Sequence, residues 1–356
     1  MHIGIICKVI DNYGDAGFSL RLARALATQD HEVVLFHDSA ATFSRLYPCQ
    51  QTEGLTLVDA TQAGFSAKEY AALDLLLEPF GTSSEQTAHR FDLALKETFP
   101  NTPWLVIDYL SAETWIEEFH GGDSVSPSSG HKTSYFYPGF TSRTGGVVHC
   151  DYPARLKHKR SVNPTEGLRL FVFSYPDAPW LKLIEWAEQR ESCDPPITID
   201  VAGKESEETE FSGVNWIPFC AQSEFDDLLA QYDVLFVRGE DSFVRAQLAG
   251  LPLIWQIYAT GDNAHEEKLA HFFKRYSARL SPDCAAALWN CWASWNNLEG
   301  SRDFSETWPV LLAYLNELHM NAIQWRDHLL EGPELVKEVL TWRAGQTPTS
   351  TEKTDL

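Results

Sequence analysis

Basic charge is what this 356-residue sequence has least of: 28 Lys and Arg stand against 50 Asp and Glu, a formal net charge of −22. Nonspecific attraction to nucleic acid or to an anionic membrane is thereby disfavoured, because both need clustered cations. The charge reads as a solubilising surface that would also attract a basic partner segment. No apolar run approaches the roughly 20 residues that span a bilayer. No basic, apolar leader opens the chain, whose strand-like residues start at Ile3, so a cytoplasmic protein is expected. The seven cysteines (7, 49, 150, 193, 220, 284 and 291) form no C-x-x-C pair. Odd in number and unpatterned, they read as reduced thiols. The twelve histidines show no metal-ligand spacing, so no metal is expected. No Cys or His arrangement points to a nucleophilic triad.

With 44% hydrophobic residues over this length, the chain can build two sizeable cores. Strand and helix signals alternate twice. In the first half, strands are expected near 3–7, 32–36, 55–58, 73–77 and 104–108, with helices near 40–46, 66–72 and 85–98. Ser111 is a plausible N-cap for a helix through Phe119, and Gly121 to Lys132, rich in Gly, Ser and His, reads as a mobile loop. The stretch Arg155 to Gly167, with a basic cluster and then Asn163-Pro164, is the expected solvated linker between domains. Alternation restarts with strands at 168–173, 197–201, 214–217, 234–237 and 253–257. The helices between and after them are expected at 179–190, 223–231 (capped by Ser223), 243–248 and 264–276. A Trp-rich helical region follows, and residues 345–356 read as a disordered tail. Two domains, 1–160 and 161–344, are therefore expected, with the last helices able to pack back on the first.

Two strand-turn-helix junctions carry the chemistry, one in each half. Ile3-Gly4-Ile5-Ile6-Cys7 leads into Asp11-Asn12-Tyr13-Gly14-Asp15-Ala16-Gly17 and then a helix. In open α/β sheets such turns face the ligand, and two such domains suggest a cleft between them. Gly14 and Gly17 let a ligand approach the backbone, but the G-x-G-x-x-G dinucleotide fingerprint is missing, and two aspartates argue against a simple phosphate loop. On spacing alone, Asp11 and Asp15 read equally as an Asx-turn and an N-cap. In the second half, Arg238 and Ser242 suit a diphosphate, through a charge-assisted contact and helix N–H groups, while Glu240 and Asp241 suit sugar hydroxyls. An internal Arg–Glu salt bridge with Asp241 or Ser242 as cap fits the same residues. Phe173, Tyr175 and Phe219 fall at strand ends and could stack on a base or simply fill the core. Lys268, His265 and the acidic Glu266-Glu267 read as a solvated helix face.

Taken together, these residues resemble the protein-arginine rhamnosyltransferases that modify bacterial translation elongation factor P. The first turn, with Arg21-Leu22-Ala23-Arg24, is similar to that family's N-terminal signature. The eleven residues Val237 to Gln247 are similar to its C-terminal one. Tyr109 to Glu113, Pro138 to Thr141, Thr144 to Gly146, Trp255-x-Ile257-Tyr258 and Asp262-x-Ala264-His265-x-Glu267-Lys268-Leu269 extend the likeness over most of the chain. Ala16 and Leu20 depart from the pattern, which has a larger aliphatic residue and a tryptophan there, as does His149-Cys150, where a basic–acidic pair is usual.

The resemblance implies a GT-B glycosyltransferase: two Rossmann-like domains facing a cleft, an N-terminal one for the acceptor and a C-terminal one for the nucleotide sugar. It implies inverting transfer from dTDP-β-L-rhamnose to an arginine of elongation factor P, with no cofactor and no metal. On the matching positions Asp15 would be the general base and Asp11 its partner in orienting the guanidinium. Asn12, Tyr13, Gly14 and Gly17 would complete that turn. Phe173, Tyr175, Phe219, Gln222, Arg238, Glu240, Asp241 and Ser242 would line the nucleotide-sugar pocket. A guanidinium, ionised below about pH 12 and with delocalised lone pairs, is a poor nucleophile, and paired carboxylates are a chemically reasonable answer. Two other readings stay open: a GT-B transferase with another sugar nucleotide or a small-molecule acceptor, and a non-catalytic binding module on the same fold.

Overall fold

The computed structural model describes residues 1–48, 52–70, 72–81, 90–127, 130–157, 167–190, 195–203, 214–260 and 263–346. Seven strands form the first sheet: β1 (His2–Cys7), β2 (Glu32–His37), β3 (Leu55–Asp59), β4 (Leu75–Pro79), β5 (Trp104–Ile107), β6 (Asp123–Val125) and β7 (Lys132–Phe136). Their order is β3-β2-β1-β4-β5-β7-β6, parallel throughout except for the β6–β7 pair. Helices α1 (Asn12–Ala27), α2 (Ala40–Leu46), α3 (Phe91–Thr98) and α4 (Ile116–Phe119) connect them. A parallel strand covered on both faces has no solvent side, which is why Ile3, Ile5 and Ile6 of β1 and Leu75, Leu76 and Leu77 of β4 are all fully buried.

The second sheet has five parallel strands in the order β10-β9-β8-β11-β12. They are β8 (Leu168–Val172), β9 (Ile197–Ala202), β10 (Val214–Ile217), β11 (Val234–Arg238) and β12 (Leu253–Gln256). Around them lie α5 (Trp180–Glu188), α6 (Gln222–Leu229), α7 (Asp241–Ala249), α8 (Ala264–Tyr276), α9 (Pro282–Trp295), α10 (Phe304–Leu312), α11 (Leu315–Glu331) and α12 (Leu335–Gly345). The aromatic stock of the chain fills this half: Phe243 stacks on Trp255 at 3.8 Å, and Phe272 lies parallel to Trp292 at 5.8 Å. Burying one such side chain contributes roughly 1.5–3 kcal/mol. In both sheets the strand order reverses beside the first strand of the half, β1 or β8. That reversal opens a crevice at the strands' carboxyl ends.

Several local expectations fail for identifiable reasons. Instead of a helix at 66–72, one 3-10 turn (Ala67–Glu69) forms, because Phe65 and Tyr70 both turn edge-on to Phe36 of the core. Ser111 caps no helix. It donates to Glu113 at 2.9 Å and accepts the Glu113 N–H at 3.1 Å, and α4 begins only at Ile116. Ser223 lies inside α6, whose N-cap position is Ala221. The stretch expected as a loop at 121–132 holds β6 and the first residue of β7; residues 128 and 129 lie outside the described residues. So do residues 85–89 of the helix expected at 85–98, residues 158–166 of the expected linker and 347–356 of the expected tail. Arg155, at the linker's start, forms a bidentate ion pair with Asp227 of α6.

The chain's end returns to its beginning. Leu335, Val336 and Val339 of α12 are fully buried in the first core, the Leu335 N–H donates to the Val147 carbonyl at 3.1 Å, and Arg343 Nε–H donates to the Asp74 carbonyl at 2.8 Å. Ala16 and Leu20 point into that same core, fully buried, so their departure from the family pattern changes packing under α1 and not the cleft.

Candidate active site

The two crevices face each other, and the junctions after β1 and β11 meet between them. Asp15, in the first turn of α1, is 2% exposed, and its Oδ2 accepts the backbone N–H groups of Ile10 and Asp11, both at 2.7 Å. Oδ1 has no hydrogen-bond partner among the described residues. Burial pushes the Asp15 carboxyl above its ordinary range; the two N–H groups oppose the rise, and the neighbouring Asp11 and Asp38 add to it. Asp11 occupies the N-cap position of α1, yet its side chain caps nothing. Its Oδ2 accepts the hydroxyl of Tyr175, from the other half of the chain, at 2.7 Å.

Glycines make this convergence sterically possible. A Cβ at Gly14 would stand 2.5 Å from Asp11 Oδ2. Gly239, with φ +61°, turns the chain out of β11, and a Cβ there would come within 3.1 Å of the Tyr175 hydroxyl and 3.4 Å of Asp11 Oδ2. A Cβ at Gly17 would lie 3.3 Å from Asp241. These glycines admit carboxylates, where the motif alone left a phosphate loop conceivable.

On the opposite wall, the guanidinium of Arg238 lies between two rings, 4.4 Å from the Phe173 centroid and 4.6 Å from that of Tyr175, and donates to the Ser174 carbonyl at 3.3 Å. No ion pair ties it to a carboxylate among the described residues. The Arg–Glu pair that composition allowed is therefore not formed; Glu240 pairs with Lys268 at 3.0 Å instead. Asp241 and Ser242 do not cap α7 either: the Ser242 hydroxyl donates back to the Arg238 carbonyl.

Asp241, which lines the same cavity as Arg238, also holds a guanidinium of its own chain. Its carboxylate receives Nε–H and Nη2–H of Arg21 at 2.5 and 3.0 Å, and lies 3.4 Å from Gln222 Nε2. Arg21 also pairs with Asp151 at 3.0 Å, and Asp151 with Arg245 at 2.8 Å; Arg245 reaches Asp226 too. Gln222 donates to the Gly17 carbonyl at 2.6 Å. Tyr13 stacks on Phe219 at 4.4 Å. These contacts brace α1 against α6 and α7 across the cleft.

Two adjoining cavities result. One is lined by Phe173, Tyr175, Phe219, Gln222, Arg238, Asp241 and Ser242 together with Tyr13, Gly14 and Gly17. The other holds Asp15 with Tyr109, Glu113, Trp115, Tyr258 and Lys268. Asp11, Gly14, Gly239 and Glu240 belong to both. Of the site residues expected from sequence, all but two line the first cavity: Asp15 faces only the second, and the side chain of Asn12 lies outside the description. Sequence reasoning missed the rim of the second cavity. Tyr109, Tyr258 and Lys268 lay inside matched motifs without a role, and Lys268, expected on a solvated face, is turned inward. Among the described residues, no three His, Cys, Asp or Glu cluster as metal ligands would, and no helix is long and apolar enough to cross a membrane.

Residues 3–344 match the family model described as Elongation-Factor P (EF-P) rhamnosyltransferase EarP. Protein-arginine rhamnosyltransferases of Pseudomonas putida and Pseudomonas aeruginosa are each 32% identical to the chain, over 93% and 96% of it and 95% and 98% of their own lengths. Among solved structures, one on EarP-mediated arginine glycosylation of translation elongation factor EF-P superposes with a TM-score of 0.62 at 23% identity, covering 97% of this chain and 99% of that one. The spinosyn rhamnosyltransferase SpnG superposes at 0.56 with 11% identity, covering 96% and 99%, a likeness of fold alone. The architecture is GT-B, as the motifs implied.

Proposed function

The chain belongs to the EarP family of elongation factor P rhamnosyltransferases and is a protein-arginine rhamnosyltransferase; on that premise we propose that it transfers L-rhamnose from dTDP-β-L-rhamnose to an arginine of elongation factor P, with inversion and with Asp15 as general base. The observation that carries this reading is the meeting of the two cavities at Asp11, Gly14, Gly239 and Glu240. A sugar held in the first cavity by its diphosphate would present its anomeric carbon to a side chain entering through the second.

The residues divide the work. Phe173 and Phe219 offer faces to a base. Arg238, held by two rings and without a carboxylate partner among the described residues, can receive the diphosphate together with the N–H groups that open α7. The C-terminal half thus takes the donor, and the N-terminal half the acceptor. Asp11, Asp15 and Glu240 give the second cavity a strongly acidic floor, which favours a cationic guanidinium, and the aromatic rim of Tyr109, Trp115 and Tyr258 suits the apolar atoms around it.

In the reaction, one guanidinium nitrogen attacks the anomeric carbon as the bond to the diphosphate oxygen breaks. The nitrogen's proton passes to Asp15, and the departing dTDP carries the electron pair away toward Arg238. A buried carboxyl with a raised pKa, and with one oxygen free of partners among the described residues, is suited to take that proton. Asp11, fixed by Tyr175, would hold the guanidinium in line. In this reading Arg238 and the helix terminus supply the positive charge that a metal would otherwise bring. The enzyme would act in the cytoplasm.

The test is to incubate the chain with elongation factor P and dTDP-β-L-rhamnose and read the anomeric configuration of the product by NMR. An α-linked rhamnosyl-arginine is expected. A β-linked product overturns the inverting mechanism, and stronger competition by UDP or GDP than by dTDP would favour another sugar nucleotide.

A further inference from the structure

Glu240 occupies an unusual position for a carboxylate. It stands at the N-cap position of α7 without capping it, faces both cavities, and is little exposed. Two groups hold it. Lys268, from the second turn of α8, brings its ammonium to 3.0 Å from Oε1, and the backbone N–H of Leu110, from the N-terminal half, favours the ionised carboxylate more weakly. Lys268 is itself largely buried, and its ammonium lies 5.2 Å from the Tyr109 ring centroid, so it closes the gap between the halves from the donor side.

The charges around Glu240 are otherwise almost all of its own sign. Asp11 and Asp15 come from the turn after β1, Asp108 from just past β5 beside Tyr109, Glu113 from the segment before α4, and Glu267 from α8; the titratable Tyr109, Tyr258 and His265 line the same cavity. Lys268 is the only Lys or Arg among the described residues lining this cavity.

We infer that Lys268 is a positioning residue for Glu240: its ammonium fixes one carboxylate oxygen so that Glu240 meets the acceptor guanidinium ionised and in a single orientation. The inference rests on the proposed arginine transfer and adds to it a residue with no contact to the reacting atoms. Its physical ground is the cost of an unpaired buried carboxylate, which relieves itself by taking a proton. Burial already pushes the Glu240 carboxyl above its ordinary range and Asp108 adds to the rise; Lys268 and then the Leu110 N–H hold it down. Without Lys268, burial and the Asp108 charge would favour protonation of Glu240. A protonated Glu240 offers an O–H where a cation needs an acceptor.

The test compares wild type, K268M and K268R in rhamnosyl transfer as a function of pH, with E240Q and E240Q/K268M alongside. For K268M the acid limb of kcat/KM is expected to move up by about one pH unit or more, the usual effect of losing an opposite charge at this distance. Its KM for dTDP-rhamnose should stay at the wild-type value, and K268R should restore the limb. In the E240Q background, removal of Lys268 should cost nothing further. A K268M limb that coincides with wild type, or a full additional loss in the double variant, overturns the inference while leaving arginine transfer standing. Absence of transfer by wild type overturns the functional reading itself, and this inference with it.

Discussion

Replacing Gly14 with alanine separates stability from catalysis. The new Cβ would lie 2.5 Å from Asp11 Oδ2 and 3.2 Å from its Cγ, whereas ordinary contact begins near 3.4 Å. The Asp11 carboxylate must therefore move by roughly 1 Å, a displacement that costs on the order of 100-fold in rate when it disturbs the line of attack. That move also breaks the hydrogen bond from Tyr175. For the fold, two effects oppose each other. Alanine in α1 stabilises by about 1 kcal/mol over glycine, and loss of a hydrogen bond to a charged group costs about 1.5–3 kcal/mol. The net cost is then at most about 2 kcal/mol, and each kcal/mol lowers Tm by about 2–4 °C in a domain of this size. The assay pairs a melting curve with steady-state transfer kinetics and dTDP binding. Expected are a modest fall in Tm, unchanged dTDP affinity and kcat reduced by about 100-fold. A G14A chain with wild-type kcat would refute the role given to the Asp11 carboxylate.

D15N should lose about 10²- to 10⁴-fold in kcat, the range of a general base, while dTDP titrations match wild type; retained turnover removes Asp15 as base. The same substitution should raise Tm at neutral pH. A carboxyl whose folded pKa lies above its unfolded one adds stability at low pH and loses it as pH rises through the folded value, so the gain should vanish on acidification. A D15N chain no more stable than wild type at pH 7 contradicts the burial argument. R238M should weaken dTDP binding by about 1.5–3 kcal/mol, an interaction typical of charge-assisted hydrogen bonds, without lowering Tm; calorimetry showing wild-type affinity would place the diphosphate elsewhere. R21M leaves Asp241 and Asp151 without their shared cation in a buried network, a loss of about 3–5 kcal/mol that denaturant unfolding would reveal. A stability within error of wild type would mean that the brace across the cleft contributes nothing to the fold.

Much of this molecule is legible in its sequence because parallel strands buried on both faces read as short apolar runs. Val234 to Val237 and Leu253 to Trp255 stand out between polar turns for that reason. The two junctions were visible as well, since Gly, Asp and Arg cluster just past such runs. What stayed hidden depends on contacts between distant segments. Arg21 and Asp241 are 220 residues apart, and nothing local shows that an aspartate lining the cavity also holds a guanidinium of its own chain. Lys268 has the spacing of an ordinary polar helix face, and only the placement of α8 against Glu240 turns it inward. The strand β6 escaped notice because Asp123, Ser124 and Val125 are all exposed at the sheet's edge and carry no apolar alternation.

The most direct measurement is intact-mass spectrometry of elongation factor P after incubation with this chain and dTDP-β-L-rhamnose, followed by fragmentation to locate the change. A gain of one deoxyhexosyl residue on a single arginine is expected with wild type, and none with D15N. An unmodified elongation factor P, with enzyme folded and donor intact, would contradict the proposed transfer.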